Sequence, residues 1–174
     1  PEEYGVFHYL YYKLVVKIAF FSAEYIITVS EASKNDLIKW LGAERISKKT
    51  KVIYNGVSKK FSPHIGMIDI FNKFEIDRTN FILYVGNNRP NKNLLNLLKA
   101  YAKAKKHNPD FPHLVLTCEQ NQELFEFIHE NILLDDVKFV GNVSDDELVL
   151  LYSYCLFFVF PSFFEGFGIP VLEA

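Results

Sequence analysis

The sequence predicts an α/β fold built on a doubly wound parallel sheet. Three observations lead there. From residue 81 onward, four strand-like runs each precede a helix-like segment, the rhythm of right-handed β–α crossovers. Those runs are FILYV (81–85), HLVLTC (113–118), VKFV (137–140) and CLFFVF (155–160); they are apolar runs rather than alternating patterns, as strands are when helices cover both faces. The composition, 49% hydrophobic and 23% charged over 174 residues, is that of a globular chain rather than a disordered or collagen-like one.

Each element has a local cause. Residues 5–22 are apolar almost all round, with Lys13 and Lys17 marking a polar side, and read as a helix with a wide buried face. YIITV (25–29) is a β-branched run suited to a buried strand. Ser30 is placed to cap a helix over 31–41, whose Leu37, Trp40 and Leu41 recur at helical spacing and which Gly42 stops. KVIY (51–54) is a short strand ended by Asn55-Gly56, and residues 58–80, with Pro63 and Gly66, form a connector containing one short helix. The regular part follows: FILYV leads into helix 92–107, HLVLTC into helix 121–132, and VKFV into helix 145–154. Ser144 and Glu147 open the last of these as a reciprocal capping pair. Beyond CLFFVF a final helix starts near Gly168-Ile169-Pro170, with proline in its first turn. That helix runs about one turn to Ala174, and the chain opens on Pro1-Glu2-Glu3 without Met; one turn barely repays nucleation, so an excerpt of a longer protein is expected.

Several function classes fall away. A net charge of −2, from 19 Lys+Arg against 21 Asp+Glu, argues against a surface that grips nucleic acid by its phosphates. Cys118 and Cys155 lie in apolar runs and read as buried, reduced thiols. The five histidines (8, 64, 107, 113, 129) show no metal-ligand spacing, and neither H-E-x-x-H nor C-x-x-C occurs, so no metal site is expected. Acids stand where a secretory signal has a basic segment, and Lys13, Lys17 and Glu24 interrupt the first apolar run before it reaches the ~18 residues of a membrane span. For helix 5–22, packing against the C-terminal domain is the favoured reading, and contact with a membrane surface is the alternative. A P-loop is absent, and no Asp-x-Asp is present to bridge a metal to a pyrophosphate. Asp135-Asp136 and Asp145-Asp146 read as solvated or dipole-matching acids. Gly166-x-Gly168 begins like a dinucleotide fingerprint, but Val171 occupies the third glycine position, which disfavours a nicotinamide-dependent oxidoreductase.

Ligands of open parallel sheets bind beyond the carboxyl ends of the strands, and two loops stand there. In Gly86-Asn87-Asn88-Arg89-Pro90-Asn91-Lys92-Asn93, the glycine allows close backbone approach and two cations sit where a helix begins. The macrodipole disfavours cations at that end unless an anion joins them, so the loop reads as a phosphate clamp. The plain alternative is a capped helix with solvated Arg89 and Lys92. In Pro161–Glu173, the carboxylates of Glu165 and Glu173 bracket Gly166 and Gly168, whose backbone amides can form an anion-binding concavity. Here the alternative is a first-turn acid and a surface acid.

With these residues in view the chain resembles a known family. Glu165-Gly-Phe-Gly-Ile-Pro-Val-Leu-Glu173 matches the E-x7-E signature of retaining glycosyltransferases of the two-Rossmann GT-B fold, the group often called family 4. YIITVSEASKNDL resembles the end of that family's N-terminal domain, and KVIYNGVSKKF the hinge into its C-terminal domain. LYVGNNRPNKNLLNLLKAY resembles the donor-domain glycine loop and helix, and VKFVGNVSDDELVLLYS the segment near the nucleotide base. The resemblance implies a tail of the acceptor domain over 1–54 and a Rossmann-like donor domain over 55–174. It implies Glu173 on the donor ribose, Glu165 on the hexose, and amides around Phe167, Gly168 and Ile169 on the sugar and diphosphate. It also implies Lys92 on the diphosphate, Gly86 and Asn87 in the glycine loop, Gly166 beside the sugar, and Gly141 and Val143 beside the base. The family often has Arg directly after the glycine; Asn87 stands there, and Arg89 is the substitute. The implied reaction is a retaining, metal-independent hexosyl transfer without a cofactor, from a UDP- or GDP-sugar to a glycan or lipid-linked acceptor of bacterial surface polysaccharide or lipopolysaccharide synthesis. The implied setting is cytoplasmic, at the inner face of the membrane where the acceptor is lipid-linked. Most of the acceptor domain would precede Pro1, so a chain that binds donor weakly without turnover, a catalytically inactive nucleotide-binding module, is the alternative.

Overall fold

The computed structural model describes residues 6–42, 44–63 and 70–174. Gly5, the first residue of the predicted opening helix, and His64 and Gly66 lie outside the described residues. The chain divides into two compact units, Pro1–Gly56 and Val57–Ala174.

In the first unit, helix α1 (Val6–Ser22) precedes strand β1 (Ile26–Thr28), helix α2 (Glu31–Leu41), helix α3 (Glu44–Lys49) and strand β2 (Thr50–Val52). The two strands pair in parallel, Ile26 opposite Thr50. Ser30 caps α2 as expected, its hydroxyl accepting from the Ser33 N–H at 3.0 Å. Gly42 ends the helix in the left-handed region at φ 63°, where a side chain is strained. A small core gathers Ile26, Leu41 and Ile46, with Phe20 and Leu37 packed against it. Three expectations need correcting, the first being YIITV as a buried strand: Ile26 is buried, but Tyr25 and Ile27 are exposed, because β1 has only β2 beside it in a two-stranded sheet. Helix α3 was not foreseen, because ERISKK is too short and too charged to show helical periodicity. The wide buried face of α1 is absent as well: Leu10, Leu14, Ile18 and Phe21 are exposed, while the half-covered stripe is Lys13, Val16, Lys17 and Phe20. Counting apolar residues overestimated burial, since lysine stems cover surface too.

The second unit is the doubly wound sheet. Helix α4 (Ile70–Lys73) lies in the connector. Strand β3 (Phe81–Tyr84), a 3-10 turn (Pro90–Lys92), helix α5 (Leu94–His107), strand β4 (His113–Leu116) and helix α6 (Gln122–Glu130) follow. Strand β5 (Val137–Phe139), helix α7 (Asp145–Tyr154), strand β6 (Phe157–Val159) and helix α8 (Ile169–Glu173) complete it. The sheet order is β5-β4-β3-β6 and all three pairings are parallel. Side chains alternate between two cores, as strand geometry requires. Ile82, Tyr84, Leu114 and Leu116 meet Leu94, Leu98 and Tyr101 of α5 and Leu124 and Ile128 of α6 on one face. Phe81, Leu83 and Val115 meet Ile70 and Phe71 of α4 and Leu150 and Leu151 of α7 on the other. Strand β3 is buried throughout, which is why FILY carries no polar residue. Strand β6 is an edge, and Phe157 on it is exposed. The capping box of α7 forms as expected: the Glu147 N–H donates to Ser144 Oγ at 3.3 Å, and the Ser144 N–H donates to Glu147 Oε2 at 2.8 Å.

The order of strands locates the site. The chain steps outward from β3 to β4 to β5, then returns to place β6 on the opposite side of β3. The loops leaving β3 and β6 therefore stand side by side, at the topological switch point where open α/β sheets bind ligands.

Candidate functional site at the switch point

The β3 loop begins with a constrained glycine. Gly86 has φ 151°, and a Cβ there would lie 2.7 Å from the hydroxyl oxygen of Tyr84. That hydroxyl donates to the Asn87 carbonyl at 2.7 Å, tying the loop to the buried end of β3. Burial, with the neighbouring Cys118 and Glu165, pushes the phenol well above its ordinary range, so Tyr84 remains a donor. Thr117 Oγ1, just past β4, accepts from the Gly86 N–H at 3.3 Å.

Three hydrogen bonds at two asparagines, one accepted and two donated, then stitch this loop to the one leaving β6. The Phe163 N–H donates to the Asn91 carbonyl at 2.9 Å, and Asn91 Nδ2 donates to the Phe164 carbonyl at 3.3 Å. Asn93 Nδ2 donates to the Pro161 carbonyl at 3.0 Å. Asn93 stands at φ 62° between the 3-10 turn and α5; asparagine tolerates that region better than most residues. The predicted helix start at 92 thus becomes a 3-10 turn followed by α5 from Leu94.

Across these stitches Lys92 Nζ meets Glu165 Oε1 at 2.6 Å, with the side chains 15% and 24% exposed. Burial pushes the Glu165 carboxyl up, but the Lys92 hydrogen bond, the adjacent Ser162 hydroxyl and the Lys92 charge outweigh it and hold the group below the usual carboxylate range. Ser162 Oγ is buried beside that carboxyl but makes no hydrogen bond of ordinary geometry. The Lys92 ammonium also lies 5.7 Å from the centre of the Phe160 ring. The anion gathered by the clamp loop is therefore the chain's own carboxylate, which also compensates for a cation near the start of α5.

The remaining predicted residues distribute around this pair. Arg89 is exposed at the loop tip, its backbone N–H held by Asn87 Oδ1 at 3.2 Å. Gly86, Asn87 and Val143 line one cavity of about 490 Å³ at the carboxyl ends of β3, β4 and β5, together with Asn88, Glu119 and Asn142. Gly141 turns at φ 65° just before Asn142. Gly166 and Phe167 are half-buried in the β6 loop, and Gly168 at φ 84° leads into Ile169 and α8. Glu173 stands apart from the Lys92–Glu165 pair. Its Oε2 accepts from the Tyr152 hydroxyl of α7 at 3.3 Å, and it borders a second cavity of about 350 Å³ with Phe61 and Pro63. Burial first, and the Glu173 charge second, push the Tyr152 phenol up, so it stays protonated as the donor.

Sequence reasoning missed Asn91, Asn93, Thr117, Glu119 and Tyr152. Only Asn93 carried a local signal, as an asparagine placed where the chain turns left-handed. The others owe their roles to partners tens of residues away. Cys118 is buried and Cys155 half-buried, and both are free thiols. Among the described residues no three His, Cys, Asp or Glu side chains gather as a metal site, and no helix is long and apolar enough to cross a membrane.

Comparison with known proteins agrees with this architecture. The chain is 32% identical over 168 residues to the O-antigen chain mannosyltransferase RfbU of Salmonella typhimurium, covering 95% of this chain and 43% of that protein. It is 31% identical over 158 residues to O-antigen chain mannosyltransferase B of Escherichia coli, covering 88% of this chain and 41% of that one. The chain thus spans less than half the length of these relatives. The crystal structure of Anabaena Alr3699/HepE in complex with UDP superposes with a TM-score of 0.72 at 25% identity, over 93% of this chain and 45% of that one. Residues 67–174, more than half the chain, match the family described as Glycosyl transferases group 1. With that match resting on the same doubly wound sheet and switch-point loops, the chain belongs to the group 1 glycosyl transferases.

Proposed function

We propose that this chain is the donor-binding part of a glycosyltransferase that moves a hexosyl group from a nucleoside-diphosphate sugar to a glycan or lipid-linked acceptor. The observation that carries this reading is the Lys92–Glu165 pair, which puts a cation and an ionised carboxylate together at the switch point of a group 1 family sheet.

Breaking the sugar–diphosphate bond leaves positive charge at the anomeric carbon and negative charge on the phosphates. Lys92 and the exposed Arg89 meet the leaving charge, which is where electrostatic catalysis is most effective. Two cations in that role support a metal-independent transfer without a cofactor. Glu165, held ionised, accepts hydrogen bonds from hexose hydroxyls and faces the developing positive charge. The amides around Phe167, Gly168 and Ile169 meet the sugar and diphosphate, with Gly166 beside them. The E-x7-E resemblance gives the ribose hydroxyls to Glu173, which borders the second cavity, and gives the rest of the nucleotide to Gly86, Asn87, Gly141 and Val143. Retention of configuration follows from the E-x7-E resemblance. The names of the two O-antigen relatives support mannose as the hexose and an O-antigen chain as the acceptor. The UDP held by Alr3699/HepE supports a nucleoside diphosphate in the cavity. The reading places the reaction in the cytoplasm, next to the inner membrane face where the acceptor is lipid-linked.

Calorimetric titration with GDP, UDP and NADH tests the binding half. Saturable binding of a nucleoside diphosphate, none of NADH, and loss of binding in Glu173→Ala are expected. NADH binding as tightly, or Glu173→Ala keeping full affinity, would sink the assignment. Release of labelled hexose to an acceptor then separates a transferase from a non-catalytic nucleotide-binding module.

A further inference from the structure

We propose that Glu119 makes the site selective for guanine, so that the donor is a guanosine-diphosphate sugar; this rests on the donor-binding reading above. The cavity at the carboxyl ends of β3, β4 and β5 is lined by Gly86 and Asn88 of the loop after β3, by Glu119 of the loop after β4, by Asn142 and Val143 of the loop after β5, and by Leu148 of α7. Glu119 is the one acidic residue on that lining. Its backbone is held in place, because Asn88 Nδ2 donates to the Glu119 carbonyl at 3.0 Å, tying the loop after β4 to the loop after β3.

A carboxylate in this position decides how a nucleotide enters. Phosphates are repelled by Glu119 and drawn to Lys92 and Arg89, which lie further along the loop that starts at Gly86. The base is therefore the end that meets Glu119. Guanine presents two adjacent donors on one edge, N1–H and the N2 amino group, and a carboxylate accepts both in parallel. Uracil presents a single N3–H flanked by two carbonyl oxygens, which face the same carboxylate unfavourably. Adenine offers one exocyclic amino group beside an unprotonated ring nitrogen. The apolar side chains of Val143 and Leu148 supply a surface for the ring. Glu119 is exposed in the free chain, so its charge is solvated until a base covers it.

The test is calorimetric titration of the full chain with GDP, IDP and UDP, for the wild type and for Glu119→Gln. IDP lacks only the N2 amino group, so it removes one of the two hydrogen bonds from the ligand side. Wild type is expected to bind GDP about tenfold or more tightly than either IDP or UDP. Glu119→Gln is expected to lose about tenfold for GDP, to lose the GDP–IDP difference, and to keep its UDP affinity. The substitution is at an exposed residue, so folding is not at stake. UDP binding as tightly as GDP, or a GDP affinity untouched by Glu119→Gln, overturns the base assignment while leaving the donor-binding reading standing. No binding of any nucleotide overturns both.

Discussion

Replacing Lys92 by Met removes the ammonium but keeps an apolar stem of similar length, so the change is one of charge. The Glu165 carboxylate, 24% exposed and otherwise beside the buried Ser162 hydroxyl, is left without its 2.6 Å partner. Exposed ion pairs contribute up to ~1 kcal/mol, and breaking fully buried ones costs roughly 3–5 kcal/mol. A half-buried, short pair falls between, and Lys92→Met is expected to destabilise the chain by about 2 kcal/mol at pH 7. The pH dependence has a definite sign. The folded Glu165 carboxyl lies below its unfolded value, so the pair's contribution is complete above the ordinary glutamate range, about 4.3. It is lost as the pH falls through the lower folded value. The difference between wild type and Lys92→Met should therefore shrink toward zero as the pH is lowered from 7 to 3. The assay is urea unfolding followed by far-UV circular dichroism; tryptophan emission is unsuitable because Trp40, the only tryptophan, lies in the first unit. A cycle with Glu165→Gln should give a coupling of about 1–2 kcal/mol. Additive single variants, or a loss that is the same at pH 7 and pH 3, would refute the electrostatic account of the pair.

Gly86→Ala forces a methyl onto the Tyr84 hydroxyl at a backbone angle that side chains avoid, and should cost about 2–3 kcal/mol with a matching drop in thermal midpoint. Ser144→Ala removes half of the α7 capping box and should cost about 1 kcal/mol, or roughly 3 °C in thermal midpoint. Burial pushes the Cys118 thiol to about 12 and raises that of Cys155. Neither thiol should react with a chromogenic disulfide reagent at pH 8 in the native chain, and both should react in urea; prompt native reaction at either would contradict the packing.

The family resemblance carried by Glu165, Glu173 and Lys92 was legible because its residues are close in sequence within each motif. The caps at Ser30, Gly42 and Ser144 were legible for a related reason: each acts within four residues, the two serines through a side-chain oxygen and Gly42 through its left-handed backbone and its N–H to the Ile38 carbonyl. The length and apolarity of β3 followed from its burial on both faces. Where local pattern was thin, as in the six residues of α3, the element went unseen. Where apolarity was abundant, as along α1, burial was overestimated.

Chain order alone left open which loops would meet. Lys92 and Glu165 are separated by 73 residues, and their pairing exists because β6 returns beside β3 rather than beyond β5. The same return splits the two glutamates of the E-x7-E motif, sending Glu165 to Lys92 and Glu173 to Tyr152 on α7. The physical reason is range. Capping, turn chemistry and hydrophobic period act between neighbours along the chain and are written in composition and spacing. Strand order and ion-pair partners are decided by how whole elements pack, and only the assembled sheet brings those distant groups within a hydrogen bond of each other.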